Sequence, residues 1–207
     1  TAITTAYTSA INGATSFSPL PLLVKYDPTS STSIGNINQL TYTWWANLTA
    51  NSSTTTWAGF LKEMSSMYNR CSAGPGGSPN LFLCDRNVYE LYEQAMWDKH
   101  ANPSFVKAAF PFDSMNFKGK PLTWDEFVPD VAGGTTASIP VAASGTLYML
   151  NTQFFDVTYD SETNFVNTPF VTPENQDAKT SHIMWYGTTT VSNRKKQGVI
   201  GSIGTAI

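Results

Sequence analysis

Apolar residues recur at three- and four-residue spacing in TWAGFLKEMSSMYNRC. Trp57, Phe60, Leu61, Met64, Met67, Tyr68 and Cys71 therefore share one side of a helix. The threonines before Trp57 can cap its first N–H groups, and SAGPGGSP after Cys71 supplies the glycine and proline that stop it. A second helix is predicted after Asp85, which can act as its cap. Val88, Leu91, Tyr92, Ala95 and Met96 line one face, and Pro103 places its end near Lys99.

The remaining pattern is that of strands and turns. SPLPLLV reads as a proline-punctuated strand ending near Val24, and NLFLC as a short apolar strand before the second helix. Lys118-Gly119-Lys120-Pro121 has the composition of a hairpin turn leading into a strand through Leu122 and Trp124. GTLYMLNTQFFDVTYD predicts two strand portions around Asn151-Thr152. HIMWY and the stretch Thr188 to Val191 are the last strand candidates, while VAGGTTASIPVAASG reads as a loop. Trp44 and Trp45 are adjacent, so on a strand they point to opposite sides: one to the core, the other to a second layer or a neighbouring molecule. The expected class is mixed α+β, with two helices among six or more strands.

Composition narrows the classes without choosing among them. The 207 residues are 41% hydrophobic and 13% charged. A chain of this size buries about 70% of its unfolded surface. The net charge of -3 speaks against a surface given over to nucleic acid. Two cysteines, Cys71 and Cys84, fit neither a disulfide scaffold nor a repeated metal-ligand spacing. Apolar runs fall short of the roughly 20 residues of a membrane-spanning helix, and the Thr-rich start lacks the plan of a signal peptide. An opening threonine points to a processed or truncated product.

Candidate chemistry is sparse. His100 and His182 come without HExxH, CxxC or Cys-His spacing, so no metal or other cofactor is expected. Cys84-Asp85 could set a thiol at a helix start, although a strand-completing cysteine followed by a helix cap accounts for both residues. GPGGS, from Gly74 to Ser78, lacks the Gly-Lys-Ser/Thr ending of a phosphate loop and reads as a turn. Asp125-Glu126 and Asp160 with Glu162 are carboxylates of a kind a glycosidase pairs across a cleft. Together with the Trp and Tyr content they make a carbohydrate-binding module or glycosidase-like protein one alternative. Asn47 and Asn51 begin glycosylation-type triplets of chance character. Arg194-Lys195-Lys196, the one run of three basic residues, suggests a second alternative, a nonspecific nucleic-acid binder, or else a subunit seam.

Several stretches, taken in order, resemble the major capsid proteins of tailed bacteriophages with the HK97-type fold. They are IGNINQLTYTWWAN, TWAGFLKEMSSMYNRCSAGPGGSPNLFLCDRNVYELYE, FKGKPLTWDE, GTLYMLNTQFFDV, TPFVTPENQDAKTSHIMWYG and TVSNRKKQG, which together span most of residues 34–199. The resemblance implies a shell subunit with a spine helix and long strands in a peripheral domain and a mixed axial domain. Residues 1–78 and 146–207 would belong to the peripheral part and 79–145 to the axial part. It further implies a non-enzymatic subunit that self-associates into capsomers of a virion capsid, assembled in the bacterial host cytoplasm. Its partners would be other copies, a scaffold, protease, portal or decoration protein, and packaged double-stranded DNA held without base reading. The family's N-terminal arm and extended loop do not both fit ahead of GNIN. Trp44, Trp45, Trp57 and Tyr68 are the foremost packing candidates, Trp124 and Trp185 are strand anchors, and Arg194, Lys195 and Lys196 are expected at a seam or facing DNA.

Overall fold

A computed structural model describes residues 18–26, 33–52, 56–98, 106–107, 113–128, 145–172 and 178–204. In chain order the elements are α1 (Leu20–Leu23), β1 (Leu48–Asn51), α2 (Trp57–Ser72), β2 (Leu81–Cys84), α3 (Arg86–Asp98), β3 (Val106–Lys107), β4 (Asp113–Phe117) and β5 (Lys120–Trp124). Then follow β6 (Leu147–Leu150), β7 (Phe155–Asn167), β8 (Ile183–Val191) and β9 (Gly198–Gly201). One-turn 3-10 helices occupy Thr43–Trp45, Thr152–Phe154 and Arg194–Lys196. Seven strands form one mixed sheet in the order β1-β9-β6-β2-β5-β4-β3, while β7 and β8 pair only with each other. The ranges 1–78, 79–145 and 146–207 each contribute strands to the larger sheet.

The two long helices form where their spacing predicts. Thr56 Oγ1 accepts the Gly59 N–H at the start of α2, and Asp85 Oδ1 accepts the Val88 N–H at the start of α3. From α2, Phe60, Met64, Met67 and Cys71 are buried against the sheet. At roughly 1.5–3 kcal/mol per large apolar side chain, this face supplies a gross stabilisation on the order of 8 kcal/mol before entropy is counted.

Period-two alternation divides the strand residues between two cores. Phe82, Cys84, Leu147, Met149 and Ile200 face α2 and α3. Tyr148, Leu150 and Val199 face the opposite side, where Leu23, Val24, Val128 and Val191 cover them. Strand β6 is buried at every position because both of its faces are covered.

Two elements depart from the sequence expectation. SPLPLLV holds a single helical turn, α1, rather than a strand: Pro21 lies in the first turn, where its fixed φ suits a helix and its missing N–H costs nothing. Trp44 and Trp45 lie on a 3-10 turn rather than a strand. The hairpin at Lys118-Gly119 is as expected. Both residues have positive φ, 50° and 74°, giving the two-residue turn whose twist matches that of β4 and β5. IMWY and the threonine run form one continuous strand, β8, with His182 just ahead of it. The expected loop VAGGTTASIPVAAS lies outside the described residues.

Candidate functional site

The basic run departs most from its expected place. It lies on a 3-10 turn between β8 and β9, and that turn sends Arg194 and Lys196 inward and Lys195 outward. Arg194 is 1% exposed and Lys196 4%. Both are buried within the protomer. A cluster of charges in sequence says nothing about whether backbone carbonyls converge on it in space.

Arg194 ties together segments far apart in the chain. Its Nε donates to the Leu23 carbonyl at 2.8 Å, Nη1 to Gln39 Oε1 at 2.9 Å and the Trp45 carbonyl at 3.2 Å, and Nη2 to Asn47 Oδ1 at 3.0 Å. The guanidinium carbon sits 5.8 Å from the centre of the Trp45 ring, within cation–π range. All four hydrogen-bond acceptors are neutral, so burial dominates and lowers the Arg194 pKa from its ordinary value to about 10. Asn47 completes the junction, accepting the Lys25 N–H and donating to the Lys25 carbonyl at 2.7 Å. It is buried, so the first glycosylation-type triplet is closed to a glycan.

Lys196 occupies the glycine loop. Its Nζ donates to the carbonyls of Ala73, Gly74 and Gly77 at 2.9, 3.1 and 3.3 Å. GPGGS is therefore the reverse of a phosphate cradle: its carbonyls converge on a cation at the C-terminal end of α2, where the helix dipole favours positive charge. Asn151 Nδ2 donates to the Gly76 carbonyl at 2.9 Å, and Gln197 exchanges two hydrogen bonds with the Asn151 backbone. The turn Asn193 to Gln197 thus holds residues 23–25 and 39–47, the end of α2 and the end of β6. Gln39, Asn47, Asn151 and Gln197 are buried members of this junction that sequence reasoning missed. The one sequence signal was amides beside apolar stretches, which is common on surfaces too.

The other predicted residues are dispersed. Trp57 packs on Phe60 and Tyr92 with ring centres 5.6 and 5.5 Å apart. Tyr68 packs on Phe82, and Lys118 Nζ lies 4.5 Å from the centre of its ring. Trp45 is half-buried, and its indole N–H donates to the Ile34 carbonyl. Trp44 is 60% exposed, and Trp124 is exposed at the end of β5. Trp185 is half-buried on β8, its ring 6.2 Å from that of Phe165.

Catalytic candidates fare poorly. Cys71 and Cys84 are buried, and burial raises the Cys71 pKa from 9.0 to about 12 and that of Cys84 well above its ordinary value. Both therefore stay as un-ionised thiols at neutral pH. Asp125 and Asp160 are exposed and accept hydrogen bonds from N–H groups two residues on, as turn carboxylates do. His182 is exposed, and His100 lies outside the described residues. Among the described residues no group of three or more His, Cys, Asp or Glu could hold a metal, and no helix is long and apolar enough to cross a membrane.

What does stand out is the β7–β8 ribbon. It leaves the body of the protein at Phe155 and Val191 and runs out to the pair Val171 and Thr180. The sequence matches no protein-family model and no curated protein. The fold does have a solved counterpart. The chain is similar to an encapsulin. It aligns with a chain of the holo-SrpI encapsulin complex from Synechococcus elongatus with a TM-score of 0.53 and 11% identity, over 71% of this chain and 50% of that one. The chain thus spans half the length of its encapsulin counterpart. The likeness supports an HK97-like fold in broad outline, and at this identity it speaks for fold alone.

Proposed function

We propose that this chain is a structural, non-enzymatic subunit of a closed protein shell, acting by self-association around local rotational axes. The fold likeness to the encapsulin chain carries this reading. The chemistry of the described residues agrees with it: thiols are buried, turn carboxylates are engaged locally, and the two inward cations serve internal carbonyls. In the finer form of the proposal the shell is the virion capsid of a tailed bacteriophage, assembled in the host cytoplasm and enclosing double-stranded DNA. Residues 79–145 would then be the axial part, and 1–78 with 146–207 the peripheral part. Scaffold, protease, portal and decoration proteins would be its partners. Contact with the genome would be weak and nonspecific, and of the basic run only Lys195 would be free to take part.

The shell works by multiplicity. Each subunit makes several modest contacts, and the later ones form at the high effective concentration that the earlier ones create. Electron microscopy and sedimentation of the full-length product, expressed with any assembly partners, test the proposal. Closed shells of uniform diameter are expected, and nuclease-resistant DNA inside them would mark the genome-enclosing form. A product that remains monomeric at every concentration, with partners present, rejects the shell reading.

A further inference from the structure

We infer that the turn Arg194–Lys196 is a conformational coupler: loosening the end of α2 loosens the segment that carries Tyr42 and Trp44, and the reverse. That segment, residues 18–26 and 33–47, covers the second core and is lightly held. Leu23 and Val24 pack into that core, with Leu20, Tyr26 and Ile34 beside them. Among the described residues, the backbone hydrogen bonds of 18–26 and 33–46 close within the cover itself: Val24 to Leu20, Ile37 to Ile34, Tyr42 to Asn38, Trp45 to Tyr42. The first to reach the body is the Leu48 N–H, which donates to the Gln197 carbonyl beside the turn. Hydroxyl pairs tie Ser18 to Thr188 and Tyr26 to Ser202 at 3.1 and 3.2 Å. The larger fastening is Arg194, whose four hydrogen bonds reach Leu23, Gln39, Trp45 and Asn47.

The glycine loop is held from the other side of the same turn. Lys196 Nζ serves three of the carbonyls between Ala73 and Gly77. A Cβ at Gly76 would stand 3.3 Å from Lys196 Cε and 2.9 Å from Phe154 Cζ, so the loop rests directly on the lysine stem. Successive residues of a 3-10 turn are about 120° apart, so Arg194 and Lys196 leave it in different directions, with Lys195 facing outward between them. A rotation that withdraws one side chain therefore displaces the other. The seat of the turn is shared as well. The Gln197 N–H closes it on the Arg194 carbonyl at 3.0 Å, the Gln197 side chain binds the Asn151 backbone, and the Asn151 side chain holds Gly76.

Charge makes the response all-or-none. Among the described residues neither cation is in an ion pair, and each depends on neutral oxygens arranged to fit it. A cation that loses such acceptors is costly to keep in the core and goes to water instead, taking the turn with it. The two stable arrangements are both cations docked or the turn withdrawn, and the cover and the glycine loop bias that one equilibrium. Without the turn between them, the two would respond independently. The coupling acts within one protomer and does not depend on the shell reading.

Amide hydrogen exchange on the full chain tests the coupler. Lys196→Met removes the donor to the loop and leaves every acceptor of Arg194 in place. It should speed exchange of the Lys25 amide, which donates to Asn47 Oδ1, and of the Ala46 amide, at least threefold more than it speeds the amides of β2 and β5. Should Lys196→Met fail to fold, Gly77→Ala gives the same reading. A φ of 76° strains an alanine there, while its Cβ would make only ordinary contacts, 3.8 Å from Asn151 Nδ2 and Gln153 Oε1. In the reverse direction, Gln39→Leu withdraws one acceptor from Arg194. It should speed exchange of the Ala73 amide, bonded to the Arg70 carbonyl, by a factor of the same order, because coupling is reciprocal. An excess below threefold at Lys25 and Ala46 in the loop variant overturns the coupler. So does an Ala73 amide that Gln39→Leu speeds no more than those of β2 and β5.

Discussion

Replacing Arg194 with methionine tests the central junction. Methionine fills much of the same volume, so the change removes donors rather than opening a large cavity. Four hydrogen bonds go: to Leu23, Gln39, Trp45 and Asn47. At about 1.5–3 kcal/mol for each bond from a charged donor, the gross loss is roughly 6–12 kcal/mol. Against this stands relief from holding a cation away from water, worth several kcal/mol. The expected net destabilisation is about 3–5 kcal/mol, which lowers the melting temperature by about 10 °C in a chain of this size. Urea unfolding measures the loss, and amide exchange locates it. Residues 20–26 and 39–47, held through their carbonyls and amides, should exchange faster by a larger factor than β6. A loss below about 1 kcal/mol, or faster exchange spread evenly through the sheet, would refute the assignment of Arg194 as the tie. Arg194→Lys keeps the charge but not the fork, and should fall between the two.

Two further predictions concern the contact between α2 and the sheet. Gly198→Ala places a Cβ 2.8 Å from Cys71 Sγ and 3.1 Å from Met67 Cγ, so urea unfolding should show a loss of about 1–3 kcal/mol from overpacking. Cys71, raised by burial from 9.0 to about 12, contributes stability that is fully present below pH 9 and is lost as pH rises from 9 toward 12. Arg194, lowered by burial to about 10, acts with the opposite sign above pH 10. Between pH 9 and 10 the thiol effect stands alone of the two. Stability measured across that interval should fall less steeply in Cys71→Ala than in the wild type, although the variant starts lower; parallel slopes would contradict the assignment.

What the sequence alone determined is local. The faces of α2 and α3, their caps at Thr56 and Asp85, and the turn at Lys118-Gly119 follow from spacing and residue type, because these interactions close within a few residues. The pattern of β8 likewise announced that Trp185 and Tyr186 point opposite ways. What only the tertiary structure decided is non-local. The pairing of β1 with β9 joins Leu48 to Gly198 across most of the chain, and GVIG is too short and glycine-rich to declare itself a strand. Arg194-Lys195-Lys196 resembled a solvated or seam-facing patch because charge ordinarily seeks water. The carbonyls that draw two of the three inward come from residues more than a hundred positions away. The ribbon shows both limits at once: the alternation at its root is legible in the sequence, but only the folded chain shows Phe155 and Val191 packed on the second core while Val157 and Tyr159 are exposed.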